Sequence, residues 1–362
     1  MYRILPFVLL LTLILTLPLF SQTSEAAQGQ IPLLVNPAYA CVDDDGLPDD
    51  LIAYADEGVK LLDVATGEVK TLVEKIDFDS VLSWSPDGTH LAFDSLLNET
   101  TGIYDIEVAE NGDAVGDPQV LFDDPDIDES HPVWSPDGQH LAFTAYGKLY
   151  IGDVNSKTRL EANTIDAIDY AWLLDGSALI YTKSLDDGQD TRALYRTDPI
   201  TGETTEVAPF LPNASIVDVA SDGLVLLHTF HEGQSHLITS DVASGSLDIP
   251  AADGGWGWWS PDGTQMVYIS DGDGSSGDDF TLMNRDGTGK EVLTNQLAPE
   301  VAVGGKALWS PDGNRIAFTA YGEDYPLSGA IHVLDIATHA VQGYEDALAG
   351  DTSPLWRPCA VS

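Results

Sequence analysis

Basic residues are scarce in this sequence. Its 362 residues include 15 Lys and Arg against 59 Asp and Glu, which gives a formal net charge of −44 at pH 7. Such a surface repels nucleic-acid phosphates and anionic lipid headgroups, so we expect neither nucleic acid nor a membrane surface as a partner. It would attract divalent cations and basic patches on other proteins. Solubility or adaptation to salt would explain the same charge, and the composition leaves both explanations open.

Cysteine is nearly absent. Cys41 and Cys359 are the only two, and they lie near opposite ends of the chain. In an oxidising compartment we expect them to form a disulfide, and two buried free thiols are the alternative.

One apolar run lies at the N-terminus. Arg3 precedes the almost wholly apolar residues 4–20, and small or polar residues follow from Ser21. This pattern predicts a signal peptide over residues 1–26, followed by a short segment over residues 27–40. The mature chain is then extracytoplasmic: periplasmic, cell-surface or secreted. An uncleaved anchor is the alternative, because the run is only just short of bilayer-spanning length.

A repeat fills the rest of the chain. The string WSPDG begins at Trp84, Trp134, Trp259 and Trp309, and each copy is followed by a segment such as THLAFDS or NRIAFTA. Weaker copies begin at Trp172 and Val219, so successive copies start 50, 38, 47, 40 and 50 residues apart. This spacing is typical of four short strands per repeat, as in the blades of a β-propeller.

The residues of the repeat explain its hairpin. Ser-Pro-Asp-Gly is a tight-turn sequence, because proline fixes φ and glycine adopts the backbone angles that close the turn. HPVW ending at Trp134 and HLAF from His140 are then antiparallel strands, and a third and a fourth strand follow. The repeated tryptophans are expected to pack between neighbouring sheets, which makes them structural residues.

The two ends of the chain complete the count of blades. Residues 51–73 supply a second, third and fourth strand, and residues 353–358 supply a first strand. Together they form one blade, which adds to the six internal ones. We therefore predict an all-β, seven-bladed propeller of four-stranded antiparallel blades over residues 41–362, rather than one of six or eight blades. This closure also brings Cys41 and Cys359 towards each other, and a disulfide there would lock the ring.

These repeats resemble those of the TolB-type propeller family, whose hallmark is WSPDG followed by an Ile/Leu-Ala-Phe strand. The resemblance implies an extracytoplasmic propeller that works through protein or ligand contacts at one end of its channel. The chain differs from the six-bladed TolB protein by one extra blade and by lacking a separate N-terminal domain. Similar repeats precede the hydrolase domain of prolyl-oligopeptidase-like peptidases. No Gly-x-Ser-x-Gly elbow occurs here, so no serine-hydrolase site of the peptidase type is expected.

Two acidic segments are candidate calcium sites, because clustered carboxylates around a glycine turn suit this hard cation. Neither has the glutamate of an EF-hand, and the second falls where the family often has an acidic turn without a metal. Calcium is thus the cofactor that the sequence leaves open. The candidate ligands are Asp43, Asp45 and Asp49 in the first segment, and Asp271, Asp273 and Asp279 in the second.

Histidines give weaker signals. His228, His231 and His236 are predicted to lie across one hairpin, but their spacing matches no established metal motif. Among the first strands only His131 offers an imidazole, so the histidine-metal chemistry of some propeller lyases lacks its ligands here.

The channel mouth is the expected binding place, because loops converge there on a rigid scaffold. GGWGWW, residues 254–259, departs most from the repeat, and the fold leaves two of its tryptophans unexplained. Exposed aromatic rings suit sugars or a partner's side chains, and extra packing between blades is the alternative. The candidate lining residues are Asp79, Glu129, His131, Asp169, Trp256, Trp258 and Lys306.

From these observations we expect a monomeric, non-enzymatic scaffold that binds an envelope or extracellular protein, a peptide or a carbohydrate. A metal-assisted lyase or hydrolase with its site in the same funnel is the alternative.

Overall fold

The structure is a computed structural model of the chain. It describes residues 50–77, 80–96, 101–165, 167–185, 190–231, 234–251, 254–270, 279–294, 302–321, 329–349 and 353–358. Backbone contacts divide the chain into two units, Met1–Gln30 and Ile31–Ser362, and all described residues belong to the second. The predicted boundaries at residues 26 and 40 lie outside the described residues and stay predictions.

Seven four-stranded antiparallel sheets make up the fold, as the repeats predict. The strands in chain order are β1 (Leu51–Asp56), β2 (Gly58–Asp63), β3 (Val69–Val73), β4 (Leu82–Trp84), β5 (His90–Ser95), β6 (Gly102–Val108), β7 (Ala114–Phe122), β8 (Glu129–Trp134), β9 (His140–Ala145), β10 (Lys148–Asp153), β11 (Arg159–Ile165), β12 (Ala167–Trp172), β13 (Leu179–Ser184), β14 (Thr191–Thr197), β15 (Thr204–Pro212), β16 (Ser215–Val219), β17 (Leu224–His231), β18 (Gln234–Asp241), β19 (Leu247–Ala251), β20 (Gly254–Trp259), β21 (Gln265–Ser270), β22 (Asp279–Asn284), β23 (Glu291–Val292), β24 (Ala302–Trp309), β25 (Arg315–Tyr321), β26 (Ala330–Asp335), β27 (Val341–Leu348) and β28 (Leu355–Trp356).

The sheets follow one another as blades. Blade 1 has the order β28-β1-β2-β3, and blades 2 to 7 take the remaining strands in consecutive groups of four. The first strands of neighbouring blades contact each other, for example β16 with β20 and β24 with β28, so they surround a central channel. We call the end where these first strands begin the loop end, and the opposite end, which carries the WSPDG turns, the turn end.

The WSPDG turn is held by its own side chains. The Ser85 hydroxyl donates a hydrogen bond to Asp87 at 2.6 Å and accepts the His90 N–H at 2.9 Å, while Gly88 adopts φ 67°. A positive φ of this kind is readily accessible to glycine alone. The same serine–aspartate bond recurs at Ser135, Ser260 and Ser310. The four WSPDG copies thus fold into the same hairpin because their chemistry is the same.

Blade 1 joins the two ends of the described chain. Ile52 of β1 pairs with Trp356 of β28, which confirms the predicted composite blade. Arg357 fastens this strand to blade 2, because its guanidinium donates to the backbone carbonyls of Gly88, Ala109 and Glu110 at 2.7 to 3.1 Å. The predicted Cys41–Cys359 pair lies outside the described residues.

The repeat tryptophans link successive blades. The indole N–H of Trp172 donates to the Val133 carbonyl at 3.1 Å, across the boundary between blades 4 and 3. Val133 directly precedes the tryptophan of its own blade. Bonds of the same type join Trp84 to Leu355, Trp309 to Trp258 and Trp356 to Leu308. Each of these rings therefore adds a directional contact to its buried apolar area.

In the described part of the chain, no helix has the length and apolar character needed to cross a bilayer.

Candidate functional site

Four of the residues predicted to line the channel occupy the same repeat position. His131, Asp169, Trp256 and Lys306 each precede the tryptophan of their blade by three residues. At this point the pairing of the first with the second strand is irregular, with register shifts between Ser130/Val133, Ala167/Tyr170, Gly254/Gly257 and Gly304/Leu308. Such bulges re-aim side chains and are common beside functional sites. We call these four residues the bulge layer.

His131 has a strained backbone. Its φ is 60°, a value that non-glycine residues adopt only at a cost. Its N–H donates to the Asp94 carboxylate at 2.9 Å, and its carbonyl accepts the Tyr170 hydroxyl at 2.5 Å. Its ring Nδ1 lies 2.9 Å from the Ser130 hydroxyl. Burial and the nearby Lys306 lower the pKa of His131, so its imidazole is held neutral.

Lys306 interacts with carboxylates of other blades. It lies in blade 7, yet it interacts electrostatically with Asp169 of blade 4 and Asp218 of blade 5. Because blades 4 and 7 are on opposite sides of a seven-membered ring, this interaction acts through the channel. Burial lowers the Lys306 pKa to about 8, and the two carboxylates act in the opposite direction. A charged layer therefore occupies the channel at this level.

Asp169 is held by polar groups of blades 4 and 5. Its Oδ2 accepts the Thr182 hydroxyl at 3.2 Å and lies 3.7 Å from Nη1 of Arg192. Arg192 also donates to the Ser215 hydroxyl and the Ala214 carbonyl, both at 2.9 Å. Burial raises the Asp169 pKa to about 6, against the effect of these donors. This carboxylate joins two blades.

Sequence reasoning missed two carboxylates that each join two blades, the buried Asp94 and the partly exposed Asp218. Asp94 accepts the N–H of Val81 in its own blade at 2.6 Å and that of His131 in the next. Asp218 likewise accepts the N–H of Val219 in its own blade at 2.8 Å and that of Trp259 in the next blade at 2.6 Å. Burial raises the pKa of Asp94 to about 6 and that of Asp218 to about 7.

A signal for both was available in the repeat alignment. Asp94 stands where four other copies have threonine, at positions 144, 182, 229 and 319. Asp218 stands directly before Val219, where four other copies have an apolar residue. In each case the departure from the repeat marks the residue that bonds to two blades.

Glu129 belongs to the frame of blade 3. Its side chain is fully buried and accepts Nη1 of Arg159 at 2.5 Å. Burial raises its pKa to about 6. Arg159 lies in the outermost strand of the same blade, so this ion pair connects the first and fourth strands of blade 3.

Trp256 is an exposed aromatic residue at the loop end. It retains 42% of its accessible surface, and its ring stacks on His228 of blade 5 with 5.2 Å between centroids. Phe230 follows two residues later on the same strand and is 50% exposed. His228 replaces the aromatic residue that other blades have at this position, such as Phe93 or Phe143. We call Trp256, His228 and Phe230 the aromatic patch.

Trp258 lies elsewhere. Only 2% of its surface is exposed, and it lines a cleft at the turn end rather than the loop end. On a regular strand, side chains two residues apart lie on the same face. The register shift between Gly254 and Gly257 interrupts this alternation, so Trp258 is separated from Trp256.

The calcium predictions fall mostly outside the described residues, as do five of their six ligands and the channel candidate Asp79. Asp279 is described: it is buried at the start of β22, and its carboxylate accepts the Thr294 hydroxyl at 3.2 Å. Within the described ranges, no three His, Cys, Asp or Glu side chains are grouped so that they could hold a metal ion. His228 and His236 lie on paired strands of blade 5, as the sequence predicts.

Comparison with known proteins extends the picture of the fold. No protein-family profile and no curated protein matches the sequence. Among solved structures, a puromycin hydrolase is similar at 12% identity and a TM-score of 0.59, covering 87% of this chain and 57% of its own. An oligogalacturonate lyase in complex with manganese is similar at 16% identity and a TM-score of 0.55, covering 82% and 84%. The shared fold is the β-propeller.

TolB from Acinetobacter baumannii also appears among the similar structures. It is 19% identical, with a TM-score of 0.49 over 67% of this chain and 65% of that one. The chain thus spans less than two thirds of the length of the TolB protein and of the hydrolase.

Proposed function

We propose that the protein is an extracytoplasmic, non-enzymatic binding module that takes a protein, peptide or carbohydrate at the loop end of its channel. The predicted signal peptide and the family resemblance of the repeats support the location. The seven rigid blades provide a scaffold on which loop-end residues are held in fixed positions.

Trp256 carries the proposal. A large ring that is 42% exposed at a bulge has no packing role comparable to that of the repeat tryptophans. Stacking on His228 fixes its orientation, so little conformational freedom would be lost when a ligand binds. Phe230, two residues from His228 on the same strand, adds a second exposed aromatic ring on the same face of that strand. Aromatic anchors of this kind dominate the energetics of many binding sites.

The contacts of the channel carboxylates indicate that these groups stabilise the fold. Asp94 and Asp218 each accept two backbone N–H groups, and Asp169 pairs with Arg192. A carboxylate that accepts donors from two blades helps to hold those blades together. At the loop end, the groups available to a ligand are the exposed ones.

A metal-assisted lyase or hydrolase is the second candidate. It is favoured by Lys306, whose pKa of about 8 would let it accept a proton near neutral pH, and by the similarity to the lyase. The described residues offer no group of three metal ligands, so such a site would need residues outside them.

Crosslinking in the native envelope, together with a glycan array, tests the proposal. We expect the tagged protein to capture a reproducible ligand, and Trp256→Ala to weaken its binding at least about tenfold, which corresponds to about 1.4 kcal/mol. Ile200→Ala is the matched control, because Ile200 is 81% exposed in a turn between the third and fourth strands, away from the loop end.

Equal loss in both variants, or none in Trp256→Ala, would contradict a loop-end site. Turnover of an oligosaccharide or peptide that is abolished in Lys306→Met would instead support the second candidate.

A further inference from the structure

The turn end of the channel has a cleft of its own. It is lined by the first strands and turns of blades 5 to 7, and by Leu174 of blade 4. Most of its lining residues are of apolar type, among them Trp258, Trp259 and Trp309. Asp218 is the one ionisable side chain that lines it.

The sequence explains why the cleft lies beside blade 5. In this blade Val219-Ala220-Ser221 replaces Trp-Ser-Pro, so a large ring and a proline give way to three small side chains. All three line the cleft. Replacing a large side chain by a small one leaves space when the surroundings cannot collapse, and a rigid ring of blades cannot.

Packing at the neighbouring boundary also departs from the pattern. Trp259 is buried like the other repeat tryptophans, but its indole N–H has no hydrogen-bond partner. Instead, the backbone N–H of Trp259 donates to Asp218 at 2.6 Å. At the boundary between blades 2 and 3 the Ser83 hydroxyl accepts the backbone N–H of Trp134 in the same way. Asp218 thus puts a carboxylate where blade 2 has a hydroxyl, and this carboxylate lines the cleft.

The chemistry of this cleft fits a cation. Each Asp218 oxygen accepts one backbone N–H and retains a further lone pair. The side chain is partly exposed although it lies deep in the fold, as a residue that lines an open cleft would be. Tryptophan faces attract ammonium and guanidinium groups, and the net charge of −44 concentrates cations around the protein.

We propose that the turn-end cleft is a second binding site, which takes one ammonium or guanidinium group on an apolar stem. A basic side chain of a partner and a free alkylamine share this chemistry. Lys306 interacts electrostatically with Asp218, so an incoming cation competes with an internal one. We therefore expect binding in the millimolar range for a single side chain, with further contacts needed for tight binding.

Nuclear magnetic resonance of the full chain provides the test. The eight tryptophans give eight indole N–H signals, which single substitutions assign. Titration with n-butylammonium is expected to shift the signals of Trp258, Trp259 and Trp309 in a saturable way, and to leave that of Trp256 in place. The neutral isostere n-butanol should bind with at most one tenth of the affinity of n-butylammonium. N-acetyl-lysinamide represents a basic side chain of a partner protein, and n-butylammonium represents a free alkylamine. The tighter binder of the two indicates the source of the cation.

Two variants connect the shifts to the cleft. Asp218→Asn should weaken n-butylammonium binding at least about tenfold. Asp175→Asn removes an equal charge from the exposed turn of blade 4, and should have no effect. If Asp218→Asn does not fold, Val219→Trp restores the repeat residue and should abolish binding by filling the cleft.

Three outcomes would overturn the proposal. The first is no saturable shift with n-butylammonium. The second is an equal response to n-butanol, which would mean an apolar cleft only. The third is equal weakening by Asp175→Asn, which would mean diffuse attraction to an acidic surface.

Discussion

His131 combines an unusual backbone with a central place in the channel. Its φ of 60° is maintained by bonds at both ends of the residue, through its N–H to Asp94 and its carbonyl from Tyr170. Strain of this kind persists only where surrounding contacts enforce it. The strained backbone at His131 therefore lowers local stability, and it fixes the position of the His131 side chain.

Two substitutions measure that strain. We expect His131→Gly to be more stable than His131→Ala by about 1 kcal/mol, because glycine adopts a positive φ without a Cβ clash. Urea unfolding of both variants gives the difference. At His140, which begins β9 with ordinary strand geometry, Ala should be the more stable by about 0.5–1 kcal/mol. The strain interpretation fails if glycine gives no advantage at position 131.

Sequence reasoning named the residues of the bulge layer as candidates but not their partners. His131, Asp169 and Lys306 could be named because they precede a repeated tryptophan. Arg192 could not, because it lies in a third strand where no repeat position marks it. The exposure of Trp256 and the burial of Trp258 also depend on a bulge that the pattern of residues does not reveal.

Among the elements, the first strands do most to join the blades. Their tryptophans donate across four described boundaries, whereas Trp134 and Trp259 have buried indole N–H groups without a partner. Trp84 and Trp259 are otherwise closely matched. They are 6% and 5% exposed, and an arginine lies 5.8 and 5.5 Å from their ring centroids.

Replacing each of these two rings by phenylalanine isolates the contribution of the bond. We expect Trp84→Phe to lower the free energy of unfolding by about 1 kcal/mol more than Trp259→Phe. Trp84→Phe loses the hydrogen bond to the Leu355 carbonyl, whereas Trp259→Phe removes an indole N–H that has no acceptor. Chemical unfolding of the two variants under the same conditions measures this difference. Equal decreases in the free energy of unfolding would show that the hydrogen bond makes no net contribution to stability.

The strands themselves were predictable for a physical reason. Each unit repeats the same turn chemistry at the same spacing, so its hairpin was visible four times in identical form. The composite blade followed from counting strands at both ends and is confirmed by the β1–β28 pairing. The short β23, Glu291–Val292, lacks such a pattern.

For the whole molecule, the buried channel charges predict an unusual pH dependence. Burial raises the pKa of Asp94 and Asp169 to about 6, and that of Asp218 to about 7. The folded state therefore binds more protons than the unfolded state between about pH 4 and 7, and stability falls as the pH rises through that window. For Lys306, with a pKa lowered to about 8, stability rises again between about pH 8 and 10.5.

Urea unfolding at constant ionic strength checks this expectation. We expect the free energy of unfolding to be about 2 kcal/mol or more lower at pH 7 than at pH 5, and the difference to shrink in Asp218→Asn. The WSPDG turn aspartates, including Asp87 and Asp312, have lowered pKa values and so destabilise the fold only below about pH 4. Stability that rises from pH 5 to pH 7 would contradict the assignment.

The composite blade also sets the order of assembly. Strand β1 ends at Asp56, but its partner β28 begins only at Leu355, so β1 keeps an unpaired edge while six further blades are synthesised. Open sheet edges invite pairing with other chains, and slow non-local pairing prolongs the exposure. We expect ring closure to be the slow step of folding and the interval of greatest aggregation risk. Until Trp356 and Arg357 arrive, the molecule is an open arc.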